Sequence, residues 1–182
     1  MKHLIFLLLL AGLGSTAFSQ KYITRNGYIG FYSSTPLEDI KADNNQAASV
    51  IDISTGEIVF QVLIRSFRFE KALMQEHFNE NYMESDKYPR STFSGKITNI
   101  GGTGLTKNGS YEVTVEGDLT IRDVKKRVSA KGTIDVAAES VTAESKFIIS
   151  PEDYGIKIPS VVRNNIAKNI EVTVKITYTP QE

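Results

Sequence analysis

The chain has 182 residues, with 21 basic and 21 acidic side chains, two histidines and no cysteine. A charge balance this even gives no support to nucleic acid or an anionic membrane surface as the main partner. Without cysteine there is no disulfide framework, and a zinc site built from His and Cys ligands is out of reach.

The N-terminus reads as a secretory signal peptide over residues 1–19. Met1-Lys2-His3 is a short basic start, Leu4 to Leu13 is an apolar run, and Ala17-Phe18-Ser19 sets small residues at a cleavage site. The run is shorter than the roughly 20 residues a membrane-spanning helix needs, so no transmembrane anchor is expected. Residues 20–182 remain as one domain, long enough to bury a real core.

Past the leader, the pattern is period two. Short apolar pieces at Tyr28–Tyr32 and Ala48–Ile53 are read as strands. Ile58, Phe60, Val62 and Ile64 form an alternating row, blurred by Val59 and Leu63 on the other face. Glu70 to Met83 breaks the alternation. It is rich in helix formers, Met74, Phe78 and Tyr82 recur at spacing four, and Tyr88-Pro89 is expected to stop it. Phe93–Ile97 returns to strand. Gly101-Gly102-Thr103-Gly104 and Lys107-Asn108-Gly109-Ser110 mark a hairpin loop, since no phosphate-binding glycine spacing is present.

The strongest strand runs from Tyr111 to Ile121. Tyr111, Val113, Val115, Leu119 and Ile121 share one face, while Glu112, Thr114, Glu116, Asp118 and Thr120 take the other. Only a pleated strand sorts side chains in this way. A polar turn over Arg122–Lys126 leads to a strand at Val128–Val136, and Ala137–Ser140 leads to another at Val141–Ile149. Ser150 to Asn169 carries two prolines and a glycine and is read as a long crossing loop with a helical turn near Val161–Ala167. Ile170 to Tyr178 closes the chain with a second clean alternation. About eight antiparallel strands, each wet on one face, can hide the dry faces in a sandwich or a closed barrel. Composition alone leaves both open.

Chemistry has few footholds. His3 leaves with the leader, so His77 is the one histidine of the mature chain, and no G-x-S-x-G elbow accompanies it. No catalytic residue is assigned. Glu80, Glu84 and Asp86, and the pair Glu152 and Asp153, read as solvated faces without calcium-loop spacing, so no metal is expected. Lys125-Lys126-Arg127 reads as a charged hairpin tip that discourages edge pairing. The apolar set around the helix and its flanking strands stands out: Phe60, Val62, Ile64, Phe67, Phe69, Leu73, Met74, Phe78, Met83 and Phe93. It is either ordinary core or the lining of an apolar tunnel.

The run Phe67–Pro89, followed by Ser91-Thr92-Phe93-Ser94-Gly95, resembles the centre of the YceI-like, polyisoprenoid-binding family, with its Y-P-x-x-x-F strand entry. Gly117-Asp118-Leu119-Thr120-Ile121, before the Val124-Lys125-Lys126 hairpin, resembles its second motif, and Tyr154-Gly155-Ile156 its late one. The matches lie in family order over residues 57 to 178. Two departures stand against them. The first strand, Gly27 to Ser34, lacks the family's acidic residue and H-S pair. The helix opens Phe69-Glu70-Lys71-Ala72-Leu73 in place of R-D-x-H-L. Any head-group contact resting on those residues is therefore not carried over.

The resemblance implies an all-β, lipocalin-like barrel of eight antiparallel strands with one short helix, exported to the periplasm. It implies a long-chain isoprenoid or similar lipid in the bore, held by the apolar set named above, with no other cofactor; a homodimer is compatible with it. Two rivals remain from the residues themselves. A filled barrel would suit a protein-interaction module in the envelope. An enzyme acting on a lipid would need inward polar groups together, such as Tyr111 or Tyr178 beside a buried carboxylate.

Overall fold

A computed structural model describes residues 21–101 and 104–181. The signal-peptide reading, residues 1–19, lies outside the described residues. The strands are β1 (Lys21–Ser34), β2 (Asp39–Asp52), β3 (Glu57–Leu63), β4 (Arg68–Phe69), β5 (Arg90–Ile97), β6 (Gly109–Ile121), β7 (Val124–Val136), β8 (Val141–Ile149) and β9 (Ile170–Pro180). Every pairing is antiparallel. The order β1-β9-β8-β7-β6-β5-β3-β2 closes through a β1–β2 ladder, so eight strands form a barrel and β4 is a two-residue addition on β2. Closure removes the free edges that an open sheet of this size would present.

Alternation sets the inside. Ile58, Phe60 and Val62 of β3, and Ile64 in the 3-10 turn just after it, face the bore, while Val59 and Leu63 point outward and are exposed. On β6, Val113, Val115, Leu119 and Ile121 face inward as the period of two requires. β1 and β2 run for 14 residues each, well beyond the short apolar pieces that mark them in the sequence. Their extra length is mostly polar, and register shifts around Gly27 interrupt the alternation. Gly27 is needed there, because a Cβ would lie 2.3 Å from Cδ1 of Ile176.

The β6–β7 connection is tighter than its polar sequence suggests. Arg122 and Asp123 alone make the turn, both with positive φ (49° and 61°), and Val124–Lys126 already belong to β7. Paired left-handed residues match the twist of the flanking strands, usually with Asn-Gly. That signal is missing here, so the sequence shows a polar turn but not its two-residue geometry.

One end of the barrel is a packed floor. Ile51, Ile58, Ile97, Leu105, Ile134, Val141, Ile176 and Tyr178 are buried together there. At the other end the wall splits twice. β2 and β3 pair only from Ala48↔Gln61 to Ile51↔Ile58. Above that, Asn44 Nδ2 donates to the Leu63 carbonyl at 3.0 Å and β4 takes the place of β3 beside β2. β7 and β8 pair only from Gly132↔Ser145 to Val136↔Val141, and Ser145 Oγ donates to the Lys131 carbonyl at 2.7 Å where they part.

Two connections lie over this end. The first holds helix α1 (Ala72–His77), shorter than expected, followed by a π turn over Phe78–Tyr82. The Met83 amide bonds back to the Phe78 carbonyl, five residues earlier, and regular helix ends well before Tyr88-Pro89. The wider turn lets Phe78, Tyr82 and Met83 all reach the bore. The second connection, residues 150–169, has two 3-10 turns, Pro151–Tyr154 and Ser160–Val162. Tyr154 and Ile156 pack with Ile64, Met83 and Ile121, so the two lids share one apolar cluster.

Candidate functional site

Between floor and lids lies a cavity of about 400 Å³, within the ~300–1,000 Å³ typical of small-ligand sites. Its wall is almost wholly apolar. Nine of the ten residues singled out in the sequence line it: Phe60, Val62, Ile64, Phe67, Phe69, Met74, Phe78, Met83 and Phe93. Leu73 is the correction. It is 60% exposed and points away from the cavity, because α1 turns its Met74 side inward.

The far wall is what sequence reasoning missed. Val128, Ala130, Gly132 and Ile134 of β7, Ala143 and Phe147 of β8, and Val172 and Val174 of β9 complete the lining. The available signal was parity: each sits on the inward face of its strand. Small residues decide the volume. Ala130 stands beside Val115, and Gly132 stands between Val113 and Ser145, so one side of the bore lacks the bulk to fill it.

Phe93 shows how a large ring is kept from blocking the bore. Gly95 and Gly117 face each other across the β5–β6 ladder, and a Cβ on either would come within 2.5 Å of the Phe93 Cζ. The ring therefore lies along the wall over the two glycines, edge-on to Phe60 with centroids 6.3 Å apart.

Near the mouth, Phe78 sits in a nest of Phe31, Phe67 and Phe69, with centroids 5.4, 5.6 and 5.0 Å away. Offset and tilted contacts of this kind add to area burial, and they fasten the π turn to β1 and β4. Two polar clips complete the closure. Glu38, in the β1–β2 turn, accepts from Lys71 Nζ at 3.3 Å and from Asn165 Nδ2 at 3.2 Å, joining both lids. Arg122, in the β6–β7 turn, pairs with Glu84, donates to the Gly155 carbonyl at 3.0 Å and lies over the Tyr88 ring. Glu38, His77 and Asn165 form a polar fringe at the opening, and His77 is exposed.

Inward polar chemistry is sparse. The Tyr111 hydroxyl donates to the Lys107 carbonyl, and the Tyr178 hydroxyl meets Ser49 at 2.8 Å, so neither tyrosine stands beside a buried carboxylate. Tyr28 does bond Asp43, at 2.6 Å, which together with partial burial pushes its hydroxyl up to about 12. Tyr28 lies on the outward face of β1 and does not line the cavity. Lys125 and Lys126 are exposed at the β6–β7 hairpin, and Arg127 pairs with Glu116 and Asp118 on the outer face of β6. Glu152 pairs with Arg163 and Asp86 with Arg65.

A closed eight-stranded barrel with an apolar interior cavity and a lidded mouth defines a lipocalin-like binding barrel. The chain belongs to the YceI-like domain family, whose model matches residues 26–178. Among solved structures it is similar to a polyisoprenoid binding domain from Saccharophagus degradans implicated in plant cell wall breakdown. The TM-score is 0.76 at 14% identity, over 89% of this chain and 99% of that one. BcnA of Burkholderia cenocepacia follows with a TM-score of 0.71 at 14% identity, covering 83% and 95%. A YCEI protein of Campylobacter jejuni gives 0.63 at 16% identity, covering 78% and 85%. No curated protein sequence matches the chain.

Proposed function

We propose that this protein is a periplasmic carrier or sequestering protein for a polyisoprenoid or similar long-chain apolar lipid, held in the barrel. The observation that carries the reading is the apolar cavity between a packed floor and a lidded mouth. The likeness in fold to a polyisoprenoid binding domain supports the ligand class. The leader-like segment Met1–Ser19 supports export.

Magnitudes indicate how such a guest is held. Burying roughly 400 Å² of prenyl surface at about 25 cal/mol/Å² is worth on the order of 10 kcal/mol. Association costs about 4 kcal/mol or more. About 6 kcal/mol is left, a dissociation constant in the tens of micromolar before any polar contact. Grip of this kind comes from bore shape, so discrimination among lipids of similar width is loose.

The test is organic extraction and mass analysis of natively purified protein, with uptake of an added isoprenoid quinone as a second arm. Extractable lipid or saturable uptake is expected. The Ala130→Trp variant, which puts an indole into the open side of the bore, should remain folded and lose uptake. An empty wild-type protein that takes up no quinone would overturn the reading.

A further inference from the structure

We propose that the rim of the barrel mouth docks on a lipid bilayer, with Leu37, Leu73 and Val161 as the inserting side chains. These are the three most exposed large hydrophobic residues among those described, at 67%, 60% and 87%. They come from three separate segments, the β1–β2 turn, the start of α1 and the 150–169 connection. All three segments meet at Glu38, which holds Lys71 on one side and Asn165 on the other. Leu37 is next to Glu38, Leu73 is two residues from Lys71, and Val161 is one helical turn before Asn165.

The pattern repeats in each segment. Glu38, Met74 and Val162 line the cavity, and the residue just before each is the exposed one. The bore lining therefore reaches the lip beside an exposed apolar side chain at three points around the opening, through Met74 and Val162 at two of them and the Glu38 carboxylate at the third. Isolated protrusions of this kind offer no groove for a protein segment, whereas fluid hydrocarbon fits any spacing. Three such side chains around the mouth of one apolar bore mark a surface that meets something apolar.

Charge says which kind of bilayer. Lys71 is paired with Glu38 and Arg163 with Glu152, so cations next to the inserting residues are neutralised within the protein. Insertion should then be driven by apolar burial, with little dependence on salt or anionic lipid. The purpose of such docking rests on the cavity being a lipid site, since an apolar guest could pass between bore and bilayer without crossing water.

Flotation with phosphatidylcholine vesicles tests it. The wild-type protein should rise with the vesicles at low and high salt. Leu37→Asp and Leu73→Asp should each weaken partitioning at least about tenfold. The triple variant with Val161→Asp should stay in the aqueous layer with an unchanged circular dichroism spectrum. Leu73→Trp gives a readout free of folding questions, because the chain has no tryptophan. Its emission should shift to the blue on adding vesicles, while Val59→Trp, on the outer wall of β3, should not shift.

Wild-type protein left in the aqueous layer, a triple variant that floats like wild type, or equal shifts at both tryptophans would each overturn the proposal. Flotation only with phosphatidylglycerol present would overturn it in favour of a charge-driven surface. A vesicle-free dimer abolished by the triple substitution would do so in favour of a second copy of the chain. Lipid found in the bore without flotation removes the docking proposal alone, and flotation of an empty protein removes the cavity reading alone.

Discussion

Tyr178 donates its hydroxyl to Ser49 across the floor of the barrel, at 2.8 Å and 129 positions apart in sequence. The direction follows from Ser49, whose own proton goes to the Val59 carbonyl at 2.7 Å. Tyr178 is fully buried, and among the described residues the bond is its hydroxyl's one polar connection in a buried cluster that is otherwise aliphatic. It ties β9 to β2 behind β1, the strand through which the barrel closes.

This arrangement sets an alkaline limit on stability. Burial pushes the Tyr178 hydroxyl well above its usual range, with the Ser49 contact opposing it weakly. Tyr28 is pushed up to about 12 by its bond to Asp43. Both groups favour the protonated form in the folded state. Their contribution is fully present below about pH 10, the unfolded value, and is lost as pH rises toward the folded values. Urea midpoints measured from pH 8 to 11.5 should be flat and then fall. Tyr178→Phe should be about 1 kcal/mol less stable at pH 8 and should lose part of the alkaline decline. A variant that declines as steeply as wild type would show that Tyr178 does not set the limit.

Asn44 is fully buried where β2 and β3 part, donating to the Leu63 carbonyl and accepting from the Gln46 amide at 2.8 Å. Asn44→Ala leaves a carbonyl and an amide without their partner. A loss of about 2–3 kcal/mol is expected in denaturant unfolding, and Asn44→Asp should rescue only the Gln46 contact. A change under about 0.5 kcal/mol, the size of an ordinary surface substitution, would mean that water replaces the side chain there.

Gly117→Ala tests how the bore is kept open. The new methyl would meet the Gly95 Cα, the Ser94 carbonyl and the Phe93 ring, each at 2.5 Å, so the β5 and β6 backbones must shift and the ring must swing into the cavity. Quinone uptake should fall and stability should drop by about 1–3 kcal/mol, as overpacking usually costs. Adding Phe93→Leu should recover uptake. If the double variant stays empty, the ring is not what blocks the bore.

The strands were legible where one face is dry, as in β6 and β9, because alternation there is nearly unbroken. Polar length was not legible. Asp39–Gln46 of β2 has only Ile40 and Ala42 to suggest alternation, and its strand state is imposed by β1 along its side. The Arg122-Asp123 turn lacks the glycine that announces such a geometry. For the cavity, the near wall could be read because Phe67, Phe78 and their neighbours are large and clustered. The far wall depends on Ala130, Gly132 and Ala143 being small, and small residues carry no signal until their opposite partners are known. Leu73 was misplaced for a local reason. Its helix is six residues long, too short for spacing alone to fix which side faces the barrel.

Arg122 is the residue whose loss should separate closure of the mouth from integrity of the barrel. It holds Glu84 of one lid and the Gly155 carbonyl of the other from a turn that belongs to the wall. Glu84 is partly exposed, so solvent screens some of that attraction. Arg122→Ala should cost about 2 kcal/mol in unfolding. Because both lids lose one of their clips while the floor cluster is untouched, release of a bound fluorescent polyene lipid to acceptor vesicles should speed up severalfold. Arg122→Lys keeps a charge for Glu84 but cannot also reach Gly155 with the same planar fork, so its release rate should fall between the two. Glu84→Gln should speed release less than Arg122→Ala, since the second lid stays clipped. Equal release rates in all four proteins would show that the guest leaves by another route, and the split between β7 and β8 would be the next place to look.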